Sequence, residues 1–299
     1  MTKVVVVGSV NIDFTVRLGH WPAVGETIFG SDAATAVGGK GANQAVSVAR
    51  LGGEAVFVAA VGQDAFADLA TNALDDNKVV AALQRTDVPT GLAFIDIGPG
   101  GDNIIRLSPG ANAKLTPAFV TAQADAFQDA KVVLLQNEIG FAASIAAAKA
   151  GKDAGAMVIM DPAPAAIPAW VDAAFAHFDL ITPNATEAGA ILGQTPLTLD
   201  DGARAAAGLK DRLGIDAIVT MGDKGVAWSL DGVTGQARCM PVDAIDTVAA
   251  GDCFNGAFAT MIAQGKSHQD AIAFALKAAA MTTTRHGALE SLPFLKDIE

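Results

Sequence analysis

The sequence predicts an α/β protein: a central, mostly parallel sheet flanked by helices, with a small β-sheet lid. Three observations predict it. Short β-branched runs alternate with helix-like stretches of about ten to fifteen residues, the rhythm of βαβ crossovers. Residues 12–36 and 91–107 break that rhythm with short alternating runs punctuated by Gly and Pro. Of 299 residues, 51% are hydrophobic and only 17% charged, enough to bury a large core.

The elements follow in order. Val4, Val5, Val6 and Val7 form an apolar run without alternation, as in a strand covered on both faces. Residues 12–36 come next, then a helix over 41–51, a strand over 55–59 and a helix over 66–75. In 91–107, the Gly-Pro-Gly-Gly-Asp turn at 98–102 suggests an antiparallel hairpin, as does the alternation in Phe14-Thr-Val-Arg-Leu. The two β segments are expected to pair beside the strand ends. Ligand sites of open α/β folds lie there, so the small sheet makes a lid. Helices are predicted over 117–127, 142–150, 201–213, 250–264 and 269–283, and strands over 132–135, 157–160, 180–181 and 217–220. No internal repeat and no low-complexity linker divides the chain, so one domain over 1–299 is expected.

Charge narrows the function. Lys and Arg number 20 and Asp and Glu 32, giving a formal net charge of −12 and a sequence pI near 4.6. Without a basic cluster such a chain suits neither nucleic acid nor an anionic membrane surface. Every long apolar stretch is cut by a charge or Pro before the ~18 residues of a membrane span. Residues 1–8 are too short for a signal peptide and read as a strand. Two cysteines, Cys239 and Cys253, make neither a disulfide framework nor a zinc cluster and read as packing residues. A cytoplasmic protein is expected.

Five motifs carry chemistry. Gly38-Gly39-Lys40-Gly41-Ala42-Asn43-Gln44 lies between a β segment and a helix. It is neither a P-loop nor a dinucleotide fingerprint. Its glycines permit close backbone approach, and Lys40 and Asn43 offer donors to hydroxyls; a plain glycine turn is the alternative. In Asp246-Thr247-Val248-Ala249-Ala250-Gly251-Asp252, small residues leave the first N–H groups of a helix open for an anion. Asp252 beside them is placed to take a hydroxyl proton, or else merely caps the helix. Asn11 and Asp13 share one face just after the first strand. Asn184 and Glu187 suit a capping box as well as a ligand site. Thr220 to Gly225 is a Gly-bounded turn between strands.

These motifs, in this order and across nearly the whole chain, resemble those of the ribokinase-like (PfkB) family of carbohydrate kinases. The Asp-Thr-x-Ala-Ala-Gly-Asp segment is a specific signature of that family. The resemblance implies that Asn11, Asp13, Gly39, Lys40, Asn43 and Glu138 surround a furanose. It implies Asp252 as general base on the primary hydroxyl, with Ala249, Ala250 and Gly251 forming the anion hole. Asn184 and Glu187 match the region of the magnesium-bound phosphates, and Thr220, Gly222, Lys224 and Gly225 the nucleotide-binding turn. Asp246, Val248, Thr282, Arg285, Gly287 and Ser291 match a loop for a monovalent cation such as K+. Three departures from the pattern stand out: Ala185 stands where Glu is frequent, Leu276 replaces a polar residue near adenine, and Leu289-Glu290 replaces a Gln-Pro or Gln-Ser pair.

The implied reaction is ATP-dependent transfer of phosphate to the 5-hydroxyl of D-ribose, with Mg2+ and K+, in a homodimer joined through the lid. The alternatives are a kinase of the same family acting on deoxyribose, fructose, a keto-sugar acid or a nucleoside, and a non-catalytic sugar-binding protein. The absence of Tyr and the few aromatics near the motifs count against a stacked nucleobase. An intact Asp252 with its anion hole counts against a non-catalytic role.

Overall fold

The computed structural model describes residues 2–165 and 172–298. From the amino end run β1 (Lys3–Val7), β2 (Asn11–Arg17), β3 (Ala34–Gly38), α1 (Lys40–Arg50), β4 (Glu54–Val61), α2 (Ala65–Asp76) and β5 (Val80–Arg85). Then come β6 (Gly91–Ile97), β7 (Asn103–Ser108), α3 (Pro117–Ala122), α4 (Ala124–Phe127), β8 (Val132–Gln136), α5 (Phe141–Asp153), β9 (Met157–Asp161), β10 (Leu180–Ile181) and α6 (Ala185–Leu192). The carboxyl-terminal part holds α7 (Leu199–Leu213), β11 (Asp216–Thr220), β12 (Val226–Leu230), β13 (Val233–Ala237), α8 (Ala250–Ala263) and α9 (His268–Thr282).

Nine strands form the large sheet, in the order β13-β12-β11-β10-β9-β8-β1-β4-β5. All neighbours from β11 to β5 pair parallel, and only β12, between β11 and the edge strand β13, runs against the rest. Alternate residues of β1 serve opposite faces: Val4 and Val6 join the core that holds Phe254 and Phe258, while Val5 and Val7 join the core that holds Leu135 and Leu209. Both faces are therefore covered, and the four valines are fully buried. A parallel strand in that setting has no polar side.

The second sheet has four strands, β3-β2-β6-β7, and joins the two predicted β segments. Its hairpins are antiparallel, as expected, but β2 and β6 pair parallel, so the sheet is mixed. Long stretches of chain separate β2 from β6, so the two can enter the sheet in the same direction. The Gly98–Asp102 turn closes with the Gly98 N–H donating to the Asp102 carbonyl (2.8 Å).

Other boundaries move too. The helix predicted over 117–127 is two short ones broken at Gln123. β5 and β13 were not among the predicted elements, and β12 and α6 were implied only by the turn at 220–225 and the capping box at Asn184 and Glu187, without bounds. No helix among the described residues is long and apolar enough to cross a membrane.

Candidate active site

The carboxyl ends of the parallel strands carry the polar residues that their interiors lack. β1 leads to Ser9 and Asn11, β8 ends on Gln136 before Asn137 and Glu138, β9 ends on Asp161, and β11 on Thr220. Asn11, Asn137 and Glu138 line a cavity of about 270 Å³, and two larger cavities lie at the turns into α1 and α8 and beside the smaller sheet. One, of about 490 Å³, is lined by Lys40, Asn184, Thr220, Gly222, Gly225 and the Ala249–Asp252 turn. The other, of about 610 Å³, is lined by Asp13, strands of the smaller sheet, Asp246, Val248, Gly287 and Glu290. Ala244 and Thr247 border both, so the two adjoin.

Glycines bring the site together. Gly39 has φ +92°, and a Cβ there would stand 2.9 Å from the Asn11 amide nitrogen and from Val10 Cα. At Gly41 a Cβ would stand 2.6 Å from the Ser9 nitrogen. The turn into α1 thus packs directly on the turn after β1, and only glycine permits the approach. Glu138 accepts the Ser9 hydroxyl and the Lys40 backbone N–H (3.3 Å), tying β8 to the same junction. Asn112 fixes Asn11: its Nδ2 donates to Asn11 Oδ1 (2.8 Å) and to the Val10 carbonyl (3.0 Å).

Asp13 is 9% exposed, and its Oδ1 is buried without a hydrogen-bond partner. Gly38 leaves the room, since a Cβ there would lie 2.1 Å from Asp13 Oδ2. Burial, then the Glu138, Glu290 and Asp252 carboxylates, push the Asp13 pKa up to about 7. A buried acceptor without a donor is what a hydroxyl-bearing ligand satisfies.

Asp252 stands in the first turn of α8, 5% exposed. Asn43 Nδ2 donates to its Oδ2 (2.9 Å) and Gln44 Nε2 to its Oδ1 (3.1 Å). No side chain caps α8; its N-cap Ala249 has φ +60°, and nothing lies within 4 Å of where a Gly251 Cβ would sit. The positive end of a helix therefore opens into the cavity beside a carboxylate. Burial would lower the Lys40 pKa, but the Asp161, Asp252, Glu138 and Glu187 carboxylates outweigh it and hold the ammonium charged.

The remaining candidates are placed as follows. Glu187 Oε2 accepts the Asn184 N–H (2.8 Å), its Oε1 accepts Asn184 Nδ2 (2.9 Å), and Asn184 Oδ1 accepts the Glu187 N–H (2.9 Å): a closed capping box. Burial raises the Glu187 pKa in spite of these bonds. Lys224 is half exposed, its ammonium 3.7 Å from Asp223, and it does not line the cavity. Asp246 accepts the Val248 N–H (3.0 Å) and the Gly287 N–H (3.1 Å), which ties the two halves of the predicted cation loop. Ser291 donates to the Ala288 carbonyl (2.8 Å), Thr282 to the Ala278 carbonyl (3.1 Å), and Arg285 to Asp297 (3.1 Å). Both cysteines are free thiols, and burial pushes Cys253 up to about 11, consistent with a packing role.

Three buried residues of the site escaped the sequence reading: Gln44, Gln136 and Asp161. A signal existed for two of them. Gln136 and Asp161 each end an apolar run at the carboxyl end of a parallel strand, where a polar side chain faces the ligand crevice.

A parallel α/β fold with an uncapped helix end and a buried carboxylate at one cleft is the architecture of a small-molecule kinase. The chain belongs to the pfkB family of carbohydrate kinases, whose model matches residues 1–295. It is 36% identical to the ribokinase of Haemophilus influenzae over 96% of this chain and 94% of that one. It is also 36% identical to the ribokinase of Schizosaccharomyces pombe, over 100% and 97%. Among solved structures, Arabidopsis thaliana ribokinase complexed with ribose and ATP superposes with a TM-score of 0.90, at 34% identity and over 99% and 96% of the two chains.

Proposed function

We propose that this chain transfers the γ-phosphoryl group of ATP to the 5-hydroxyl of D-ribose. The observation that carries the reading is Asp252: a buried carboxylate, steered by two amide donors, at the open end of α8. The sugar is to be held from Asn11, Asp13, Gly39, Asn43 and Glu138. Asp13 accepts two hydroxyls there, which supplies the donor its buried Oδ1 lacks. Asp252 takes the proton of the primary hydroxyl as it attacks, and the N–H groups of the Ala249–Asp252 turn receive the charge that develops on the phosphoryl oxygens. Lys40 adds a fixed positive charge at the same place.

The nucleotide is assigned to the cavity that Thr220, Gly222 and Gly225 line. Its inner wall suits a base, since Leu276, Ala279 and Ala280 are apolar. Mg2+ is assigned to the bound phosphates, with Asn184 and Glu187 reaching it through water because both Glu187 oxygens already serve the capping box. Magnesium neutralises phosphate charge when bound. A monovalent cation is assigned to the loop that Asp246 ties together, with Val248, Thr282, Arg285, Gly287 and Ser291 around it. Bound there, such a cation would stiffen the peptide planes leading into Ala249. The smaller sheet acts as a lid that excludes water. Its strand β7 is exposed throughout, with Ile104, Ile105 and Leu107 about half exposed, and a second copy covering that edge makes the homodimer.

A coupled assay of ADP release over ribose, 2-deoxyribose, fructose and nucleosides tests the reading. Deoxyribose is included because the Salmonella typhi deoxyribokinase is 31% identical over 298 residues. Ribose is expected to give the highest kcat/KM; no ribose-dependent ADP release overturns the assignment.

A further inference from the structure

Asp161, at the end of β9 and 6% exposed, has no role in the mechanism given above. Its Oδ2 accepts Gln44 Nε2 (3.0 Å) and lies 3.9 Å from Lys40 Nζ. The same Gln44 nitrogen donates to Asp252 Oδ1 (3.1 Å), and Gln44 Oε1 accepts Gln136 Nε2 (2.6 Å). An amide nitrogen has two hydrogens, and here each goes to a different carboxylate. Gln44 is fully buried, and a flip of its amide would aim the carbonyl at both carboxylates. Its orientation is therefore fixed by Asp161 on one side and Asp252 on the other.

We propose that Asp161 is a positioning residue for the phosphoryl transfer: it anchors the Lys40 ammonium at the cleft and, through the Gln44 amide, orients Asp252. The inference rests on the assignment of Asp252 as base. Five groups face Asp161: Lys40 and Gln44 from α1, Asp252 from α8, Glu187 from α6, and Glu138 from the segment after β8. Burial raises the Asp161 pKa, Lys40 opposes it, and the three carboxylates add to the rise, giving about 7. Above that pH the ionised form holds Lys40 and accepts from Gln44. Below it the added proton removes the carboxylate charge paired with Lys40 at 3.9 Å, leaving Asp252, Glu138 and Glu187 around the ammonium, and the amide loses an anionic acceptor. An Asn at 161 keeps an acceptor for Gln44 and removes only the charge.

The test compares Asp161→Asn with the unmodified enzyme at saturating ribose and Mg·ATP across pH 5.5 to 9. The variant is expected to lose about tenfold or more in kcat at pH 8, with ribose affinity by calorimetry within about threefold. The acidic limb of kcat, centred near 7 in the parent, is expected to disappear or move down by about one pH unit in the variant. Parental kcat with an unmoved acidic limb overturns the proposal while leaving the kinase reading intact. A parent without sugar kinase activity overturns both. Should Asp161→Asn fail to fold, judged by circular dichroism, the parent profile decides: a kcat flat between pH 6 and 8 overturns the proposal.

Discussion

Helices α7 and α8 are nearly equal in length, 15 and 14 residues, and begin in opposite ways. α7 is closed by local chemistry. Thr198 Oγ1 accepts the Asp201 N–H (3.1 Å), Asp201 accepts the Thr198 N–H (2.9 Å), Lys210 and Arg212 occupy the last turn, and Gly214 caps the end in the left-handed region. α8 has no side-chain cap, no basic residue in its last turn, and a left-handed alanine at its start. What holds α8 is burial, with Phe254, Ala257 and Phe258 in the core. A helix stabilised by packing can leave its first N–H groups for a ligand, whereas one stabilised by its caps cannot. Stability and chemistry are thus assigned to different helix ends of one molecule.

The strongest way to break this contrast is Asp252→Asn at the open end. It is expected to lower kcat about a thousandfold or more and to leave ribose affinity within about tenfold. Steady-state rates and calorimetry measure both. Retention of more than a few per cent of kcat would return Asp252 to the role of an ordinary first-turn carboxylate.

Next in size is Asp13→Ala. The ribose KM is expected to rise about a hundredfold with the ATP KM within about twofold. A pH series sharpens it. Because the Asp13 pKa is raised to about 7, the carboxyl of the free enzyme is neutral below that pH. kcat/KM for ribose is therefore expected to fall more steeply than kcat as pH drops through 7, and the extra fall to vanish in Asp13→Asn. The same shift predicts stability. The folded state holds a proton on Asp13 that the unfolded chain releases near 4, so the parent loses stability between pH 4 and 7. Asp13→Asn is expected to melt higher than the parent at pH 8, with no gain at pH 4. Equal melting at pH 8 would show that the buried charge costs nothing.

Replacing Na+ by K+ at constant ionic strength is expected to raise kcat severalfold with little change in ribose affinity. Equal rates in Na+, K+ and a bulky organic cation would confine the 246–248 and 282–291 segments to a structural role. The smallest effect belongs to the closed end. Thr198→Ala is expected to cost about 1 kcal/mol of stability in a denaturant titration, with kcat unchanged. A drop in kcat there would dissolve the division between the two helices.

Legibility in the sequence followed burial. β1, β8 and β9 are covered on both faces and spell continuous apolar runs, so they were read within a residue or two. β5, at the sheet edge and ending on Leu83-Gln84-Arg85, is only partly buried and has no such run. β12 and β13 pair antiparallel at the other edge, where Gly235 and Gln236 dilute the strand signal. The parallel pairing of β2 with β6 joins residues some eighty apart, and no local pattern encodes it. In the site, motif residues at turns were visible because glycines and small residues marked them. Gln44 was not: inside a helix, a buried polar side chain follows the same spacing as any other, and only its long-range partners reveal its work. Asp161 stands before Pro162 and passes for a turn former.

Ala249 carries a last consequence. A left-handed alanine costs about 1 kcal/mol, and glycine would remove that cost. Glycine would also enlarge the freedom of the unfolded chain by about as much, so the exchange is close to neutral in melting temperature. A thermal screen of a mutant library would pass over this position. Yet the peptide planes that follow Ala249 set the aim of the α8 N–H groups. Only selection on turnover would detect the exchange.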